Sequence, residues 1–398
     1  MKKPQIFIAM HYLELGGAET ALIGLLHALD YSKVDVDLFI YSHRGELMPQ
    51  IPPQVNLLPE MKAYANMETP IKETIKAGQF GVAAGRWLAH HKFNSYRKKV
   101  KPSTAFALYG FIGRYLTPFL PKIGNKVYDL AISFLTPHDI VLHKVRAKKK
   151  ACWIHTDYSY VDVNTALEQP VWNGYDHIIS ISSDVSRSFC TKFPTLADKL
   201  LVIENIMPQQ YIRQKSLEYT PEEMKKNHFN ILSIGRFTHQ KNFDNVPDIC
   251  RRLIETTGRN DIRWYLIGYG HDENYIRSRI SAAGMEEHVI ILGKRDNPYP
   301  YIKACDLYVQ PSRYEGKSIT VREAQTLGCP VVITNYSTAS SQITHGIDGM
   351  IVPLDNAACA EALAKIVVDE ELCRHLRDNV AARDFSGMAE ADKIYSIL

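Results

Sequence analysis

At 398 residues the chain is too long for one ordinary domain and suits two domains of roughly 150 to 200 residues each. Apolar residues make up 45% and charged residues 23%, which argues against a disordered or fibrous protein. Lysine and arginine (47) exceed aspartate and glutamate (43) by only 4, too small a surplus to indicate a nucleic-acid-binding protein.

The amino terminus carries one short apolar run, QIFIAM, which is too short for a signal-peptide core or a membrane span. The 7 cysteines are scattered, and none lies in a CxxC or metal-binding spacing. Both features predict a cytoplasmic protein with reduced thiols.

The first half alternates short apolar runs with helix-length amphipathic segments, which is typical of parallel strands joined by crossover helices. The predicted strands are 5–10, 34–41, 128–135, 151–156, 177–182 and 200–206. The fold class is therefore α/β, and a first Rossmann-like domain is predicted over 1–207.

A glycine pair follows the first predicted strand. In HYLELGGAET, Gly16 and Gly17 precede Glu19 and Thr20 at a predicted helix start. Such a pair lets backbone N–H groups approach an anion, although a plain strand-to-helix turn is the alternative. The pattern is neither GxGxxG nor a P-loop, which argues against NAD and ATP.

The first domain contains a basic insertion. Between Glu73 and Asp129 there is no acidic residue, whereas lysines and arginines supply ten positive charges. Segments 90–101 and 105–124 combine these cations with aromatic and leucine side chains. The pattern predicts that 86–126 contacts an anionic membrane surface, and a buried helical insertion with a solvated basic rim is the alternative.

His155 directly follows a predicted strand in CWIHTDYS. Ligands of open parallel sheets bind beyond the carboxyl ends of the strands, so His155 is a candidate functional residue. A lone histidine is more often structural, and that alternative stays open here.

The alternating pattern stops and then restarts. Residues 208–228 are polar and predict a linker. Further strands are predicted at 229–236, 263–270, 288–293, 306–312 and 330–335. A second Rossmann-like domain is expected over 229–398, facing the first across a cleft, and its final helix could pack back on the first domain.

Two cations follow the first strand of the second domain. In LSIGRFTHQKNFD, Arg236 and Lys241 lie in a polar loop that ends near a helix start. A planar guanidinium and a compact ammonium at one strand end suit a diphosphate, and a solvated loop is the alternative.

Two carboxylates lie eight positions apart in RYEGKSITVREAQTLGCPVV. Glu315 is expected in a loop, and Glu323 in a helix closed by Gly328. A rise of 1.5 Å per residue separates them by roughly 10 Å, which suits two hydroxyl-bearing ends of one ligand better than an acid and a base. Free N–H groups of the helix start could meet phosphates, and an exposed charge pair is the alternative.

Together, GGAET, WIHTD, SIGRFTHQKN and YEGKSITVREAQTLGCPVVIT resemble the retaining glycosyltransferases of family 4, with the two-domain GT-B fold, over nearly the whole chain. The E-x7-E block is the most specific part of this resemblance. It implies that Glu315 contacts the donor sugar and Glu323 the nucleotide ribose, while Arg236 and Lys241 hold the diphosphate.

The resemblance implies that the domain over 1–207 binds the acceptor and the domain over 229–398 binds the nucleotide-sugar donor. It also places Gly16 and Gly17 near the phosphates and His155 at the reaction centre. The loop residues Gly316, Lys317 and Ser318 would complete the donor site. The family commonly has EGFG where this sequence has EGKS, so the donor-sugar preference does not carry over.

The expected activity is retaining, metal-independent transfer of a hexose or N-acetylhexosamine, such as galactose or glucose, from a UDP-sugar. Positioned cations would replace a metal ion, and no cofactor is expected. The predicted acceptor is a glycan or glycolipid in surface-polysaccharide assembly at the inner face of the cell membrane. The alternatives are a transferase acting on a soluble acceptor and a catalytically silent subunit that binds nucleotide sugars.

Overall fold

The computed structural model describes residues 3–14 and 16–398, which divide into two compact units. The first unit comprises the chain up to Ile206 together with Gly387–Leu398, and the second comprises Met207–Ser386. Residues 208–228 therefore belong to the second unit.

The first unit contains a parallel sheet of seven strands among the described residues. The strands are β1 (Gln5–Met10), β2 (Asp35–Ile40), β3 (Asn56–Leu57), β4 (Val127–Ser133), β5 (Arg146–Ile154), β6 (His177–Ser180) and β7 (Leu200–Val202). Their spatial order is β3-β2-β1-β4-β5-β6-β7, and β1 pairs in parallel with both β2 and β4. The direction of winding reverses between β1 and β4, which creates a crevice at the carboxyl ends of these strands.

Helices cover this sheet. They are α1 (Gly17–Ala28), α2 (Lys62–Ala65), α3 (Ile71–Lys76), α4 (Phe80–Val100), α5 (Leu108–Leu116), α6 (Asp139–Lys144), α7 (Thr165–Asn173) and α8 (Ser183–Lys192). Strand β1 is apolar from Ile6 to Met10 because both sheet faces are covered there, and Ile6, Phe7 and Ile8 are fully buried.

The basic insertion forms a pair of packed helices, α4 and α5. Ala89 and Phe93 of α4 and Phe111 of α5 form a small buried core. Other positions of α4 are open to solvent, and Phe80 is 67% and Trp87 61% exposed. The predicted segment 86–126 therefore contains both a buried helical core and an exposed surface that is basic and partly aromatic.

The second unit, which is described throughout, repeats the architecture with a six-stranded parallel sheet. Its strands are β8 (Phe229–Ile234), β9 (Ile262–Ile267), β10 (Val289–Gly293), β11 (Leu307–Gln310), β12 (Val331–Thr334) and β13 (Met350–Val352). The order β10-β9-β8-β11-β12-β13 reverses between β8 and β11, so a second crevice lies at the ends of these two strands.

The helices of the second unit surround a continuous apolar core built on Ile231, Trp264 and Leu266. They are α9 (Gln209–Lys215), α10 (Val246–Thr257), α11 (Glu273–Ala282), α12 (Tyr299–Ala304), α13 (Ile319–Thr326), α14 (Ala339–Gln342), α15 (Asn356–Val368) and α16 (Glu370–Ala381).

The carboxyl-terminal segment belongs to the first unit and contains α17 (Asp392–Tyr395). The Tyr395 hydroxyl accepts a hydrogen bond of 2.6 Å from the backbone N–H of Asp30. In the described parts of the chain, no helix is both long enough and apolar enough to cross a bilayer.

Candidate active site

The loop after β8 carries the two predicted cations. Arg236 follows Gly235 and is exposed, whereas Lys241 ends a short 3-10 turn, His239–Lys241. The aliphatic part of Lys241 crosses Gly235 so closely that a Cβ added there would lie 3.0 Å from the lysine Cε. The missing side chain at Gly235 thus lets Lys241 reach across the end of β8.

Glu315 lies in the loop after β11 and receives Lys241. The Lys241 Nζ donates to Glu315 Oε1 at 2.6 Å, and Ser312 Oγ donates to the same oxygen at 2.6 Å. Gln240 Nε2 donates to Oε2 at 3.3 Å. Because Glu315 is only 5% exposed, these three donors compensate much of the cost of burying its carboxylate.

A second ion pair joins the same two loops. Arg313 donates through both terminal nitrogens to Asp244, at 2.9 and 2.8 Å. The backbone N–H of Arg313 also donates to the carbonyl of Gln240 at 2.8 Å. This bidentate contact holds the loop of Lys241 against the loop of Glu315 and so fixes their separation.

Glu323 lies inside α13 and is 5% exposed. Burial raises its pKa to about 7, although the Tyr299 hydroxyl donates to Oε1 at 3.0 Å and opposes the shift. The helix ends as predicted, because Gly328 takes a φ of 73° and Cys329 N–H bonds back to the Ala324 carbonyl.

The start of α13 is already partly satisfied. The sequence predicts free N–H groups at this helix start that could bind a phosphate. In the structure, the backbone N–H of Ser318 instead donates to Gln342 Oε1 at 3.0 Å. Ser318 itself is buried, whereas Gly316 and Lys317 are partly exposed. These two residues form the accessible part of the loop beside Glu315.

In the first unit, His155 directly follows β5. Its ring lies 4.8 Å from that of Phe134 and is nearly parallel to that of Trp153 at 6.0 Å. Burial lowers the pKa of His155 to about 3 despite a hydrogen bond to the backbone of Phe134. The imidazole is therefore neutral at physiological pH.

Gly16 caps α1, and Gly17 is the first residue of this helix. A Cβ added at Gly16 would overlap the carboxylate of Glu19. The Glu19 side chain therefore already lies at this helix start, where its negative charge interacts favourably with the helix dipole. An anion could reach Gly16 only after that flexible side chain moves.

Sequence reasoning missed a group of side chains in the first unit that surround a cavity of about 180 Å³. The cavity is lined by His11, Glu68, Tyr109, His138 and Trp153, together with His155. One signal was available, because His11 directly follows β1 just as His155 follows β5. Glu68 could not have been found in this way, since it lies in a loop far from any strand end.

The predicted site residues thus form two groups. The second unit holds Arg236 and Lys241 after β8, and Glu315, Gly316, Lys317, Ser318 and Glu323 after β11, whereas the first unit holds Gly16, Gly17 and His155. Within the described residues, no group of three or more histidine, cysteine or acidic side chains is placed to hold a metal ion.

Comparison with known proteins agrees with this architecture. Residues 217–383, which lie inside the second unit, match the family described as Glycosyl transferases group 1. A lipopolysaccharide core biosynthesis mannosyltransferase, LpsB of Rhizobium meliloti, is 29% identical over 41% of this chain and 46% of its own length.

A second relative, from Campylobacter jejuni, is N-acetylgalactosamine-N,N'-diacetylbacillosaminyl-diphospho-undecaprenol 4-alpha-N-acetylgalactosaminyltransferase. It is 26% identical over 56% of this chain and 59% of its own length. The matching region thus spans about half the length of the curated relatives.

Among solved structures, Anabaena HepE in complex with UDP and glucose superposes with a TM-score of 0.69. The match covers 99% of this chain and 98% of HepE at 16% identity, which supports the fold alone. The chain therefore has the GT-B fold, and residues 217–383 of its second unit are similar to the group 1 glycosyl transferases.

Proposed function

We propose that this chain is a retaining, metal-independent glycosyltransferase that moves a hexose or N-acetylhexosamine from a UDP-sugar to a lipid-linked or glycolipid acceptor. The observation that carries the proposal is the ion pair between Lys241 and the buried Glu315. It lies in the loops after β8 and β11, which also carry the exposed Arg236, in the unit that matches the family.

In this proposal Arg236 and Lys241 bind the diphosphate and stabilise the negative charge that grows as the glycosidic bond breaks. Positioned cations of this kind can serve in place of a metal ion. Glu315 then accepts hydrogen bonds from hydroxyl groups of the donor sugar, and Glu323 from the ribose.

The remaining predicted residues have narrower proposed roles. Gly316, Lys317 and Ser318 contribute to donor binding and sugar choice. The neutral imidazole of His155 contacts the sugar at the reaction centre, and Gly16 and Gly17 lie by the phosphates once Glu19 has moved aside.

The reaction would proceed with same-face attack, in which the departing phosphate accepts the proton of the acceptor hydroxyl. UDP is favoured as the nucleotide because the HepE structure contains UDP and glucose. The sugar itself does not carry over, since the named relatives transfer mannose in one case and N-acetylgalactosamine in the other.

The acceptor is proposed to be lipid-linked because the Campylobacter relative is named for a diphospho-undecaprenol substrate. The exposed Trp87 and the cations of 86–126 would bring the enzyme to the anionic inner face of the cell membrane. Flotation with vesicles containing anionic lipid tests this step, and a protein that stays with the soluble fraction would favour a soluble acceptor.

A thermal-shift screen against nucleotide sugars and free nucleotides tests donor binding, because a ligand that binds only the folded state raises the melting temperature. We expect UDP-sugars to give the largest shift. Glu315→Gln should abolish transfer with the circular dichroism spectrum unchanged, and His155→Ala should slow it strongly. Wild-type turnover in Glu315→Gln would refute the site assignment.

Donor hydrolysis in the absence of acceptor separates an enzyme from a silent binding subunit. We expect slow, saturable release of UDP by the wild-type chain and none by Glu315→Gln. Binding of the donor without hydrolysis or transfer to any offered acceptor would indicate a silent subunit.

A further inference from the structure

The cavity in the first unit contains an unusual concentration of unpaired polar atoms. Four enclosed ring nitrogens among its lining residues have no hydrogen-bond partner within the described parts of the chain: Nε2 of His11, His138 and His155, and Nε1 of Trp153. A buried polar group without a partner costs roughly 1–3 kcal/mol, so such a cluster calls for a ligand or ordered water.

The position of the cavity also suits a ligand. His11 follows β1, His138 lies beyond β4, and His155 follows β5. These strands are neighbours in the sheet, and the winding reverses between β1 and β4. The cavity therefore lies at the crevice where open parallel sheets bind their ligands.

The hydrogen bonds of the rings define what the ligand must offer. His11 Nδ1 lies 3.2 Å from Glu68 Oε1. Burial raises the pKa of Glu68, but the hydrogen bond from His11 and the nearby Arg44 outweigh this and lower it overall, so Glu68 is a carboxylate. The His11 Nδ1–H therefore donates to Glu68, and in the neutral imidazole Nε2 is left as an acceptor.

The Nε2 of His155 is also left as an acceptor, because the other ring nitrogen forms a hydrogen bond with the backbone of Phe134. The indole of Trp153 can only donate. A ligand that satisfies these rings must both donate and accept hydrogen bonds, as hydroxyl groups do. The exposed ring of Tyr109 adds an apolar surface against which a sugar ring can pack.

The charge of the lining favours a neutral ligand over an anionic one. Among the described residues that line the cavity there is neither lysine nor arginine, whereas the Glu68 carboxylate is present. Burial lowers the pKa of both His138 and His155 to about 3, so neither supplies a positive charge at neutral pH. Arg44, which does not line the cavity, already pairs with Glu68 Oε2 at 3.1 Å. A phosphate or carboxylate in the cavity would therefore lose its hydration without a lining lysine or arginine to compensate its charge.

The volume of the cavity is larger than a single ordered water molecule needs. A cavity of about 180 Å³ is more than ten times the ~10–15 Å³ that one ordered water requires. The space and its polar groups together suit one pyranose ring.

We infer that this cavity binds a neutral, hydroxyl-bearing sugar unit of the acceptor, with His11, held by Glu68, and Trp153 as its hydrogen-bonding residues. The inference rests on the proposed function and narrows its acceptor to one whose terminal sugar is uncharged. Any phosphate of a lipid-linked acceptor must then lie outside the cavity.

Titration calorimetry on the full chain tests the inference with three probes: methyl α-glucoside, the methyl glycoside of glucuronic acid, and inorganic phosphate. We expect saturable binding of the neutral glycoside, at least tenfold weaker binding of the glucuronide, and none of phosphate. Equal binding of the acidic sugar, or no saturable glycoside binding because the cavity holds only water, would overturn the inference.

Two variants localise the binding. His11→Phe and Trp153→Phe should each weaken glycoside binding at least threefold while the thermal shift with UDP stays unchanged. His271→Phe, at a histidine in the second unit with a 76% exposed side chain, is the matched control and should bind as the wild type does. Wild-type affinity in both cavity variants would refute the assignment.

The same samples separate this inference from the proposed function. Binding and hydrolysis of a nucleotide sugar without glycoside binding would refute the cavity assignment and leave the proposed function standing. Glycoside binding without any interaction with nucleotide sugars would refute the acceptor role.

Discussion

The Lys241–Glu315 pair provides the most direct test of how the second unit's site is held together. The Nζ–Oε1 distance is 2.6 Å, and the two side chains are 16% and 7% exposed. At an effective dielectric constant of about 20, Coulomb's law gives about 6 kcal/mol of gross attraction at that distance. Much of this attraction offsets the cost of removing both charges from water. Removing the lysine alone therefore leaves a buried carboxylate without its cation.

We expect Lys241→Met to lower the free energy of unfolding of the second unit by about 2–3 kcal/mol. The expected loss is smaller than the ~3–5 kcal/mol that typically follows removal of one partner of a buried ion pair, because Ser312 and Gln240 still donate to the carboxylate. Glu315→Gln should cost only about 1 kcal/mol, since the partly exposed ammonium of Lys241 can turn to water. The double variant should lose about 1–2 kcal/mol less than the sum of the two.

Native-state hydrogen exchange on the full chain measures these values. Peptides from β8 and β11 report the opening of the second unit, and peptides from β1 and β4 are an internal reference. Lys303→Met, at an exposed lysine of α12, is the matched control and should change little. Equal and additive losses from the two single variants would show that the pair is not coupled in the folded protein.

Other contacts in both units lead to three shorter predictions. Wild-type Glu323 keeps its proton up to a pKa of about 7 when folded and loses it near 4.5 when unfolded. Stability should therefore fall by about 3 kcal/mol between pH 4.5 and 7 and stay level above, and denaturant titrations at several pH values should show this slope missing in Glu323→Gln. Arg313→Lys should reduce kcat/KM for transfer about tenfold because lysine cannot reproduce the bidentate contact, and wild-type kinetics would contradict this. Gly113→Ala should destabilise the first unit by about 1–3 kcal/mol, because the added Cβ would overlap the Asp139 carboxylate. Gly81→Ala, whose Cβ would make an ordinary 3.5 Å contact, is its control in thermal melts.

The α/β class and most strands of both sheets were predictable, because buried parallel strands leave long apolar runs in the sequence. The start of β5 was not predictable, because the sequence of Arg146–Lys150 is polar and resembles a solvated loop. In the structure, Lys148 pairs with Asp129 at 2.7 Å, and the Lys150 ammonium donates to the Leu142 carbonyl. These partners come from elsewhere in the fold, which no local pattern reveals.

The same limit applies to the site. Local spacing decides which side chains come directly after a strand, so the sequence could indicate that Arg236 and Lys241 follow β8 and that Glu315 follows the neighbouring strand β11. The partners that set the charge state of the site residues could not be predicted from the sequence. Tyr299 lies 24 positions before Glu323, and Glu68 lies 57 positions after His11, so only the folded chain brings these pairs together.

The Lys241–Glu315 ion pair affects how the proposed nucleotide sugar would bind to the second unit. While Lys241 is paired with Glu315, the buried carboxylate is compensated from within the protein. In the proposed complex, a diphosphate that takes up the Lys241 ammonium would leave Glu315 with the neutral donors Ser312 and Gln240, so its charge would need further hydrogen-bond donors. The hydroxyl groups of a sugar attached to the same diphosphate provide them, whereas a nucleoside diphosphate alone does not. In the proposed function, the ion pair would thus make binding of the diphosphate and binding of the sugar depend on each other, which would favour the complete nucleotide sugar over the spent nucleotide.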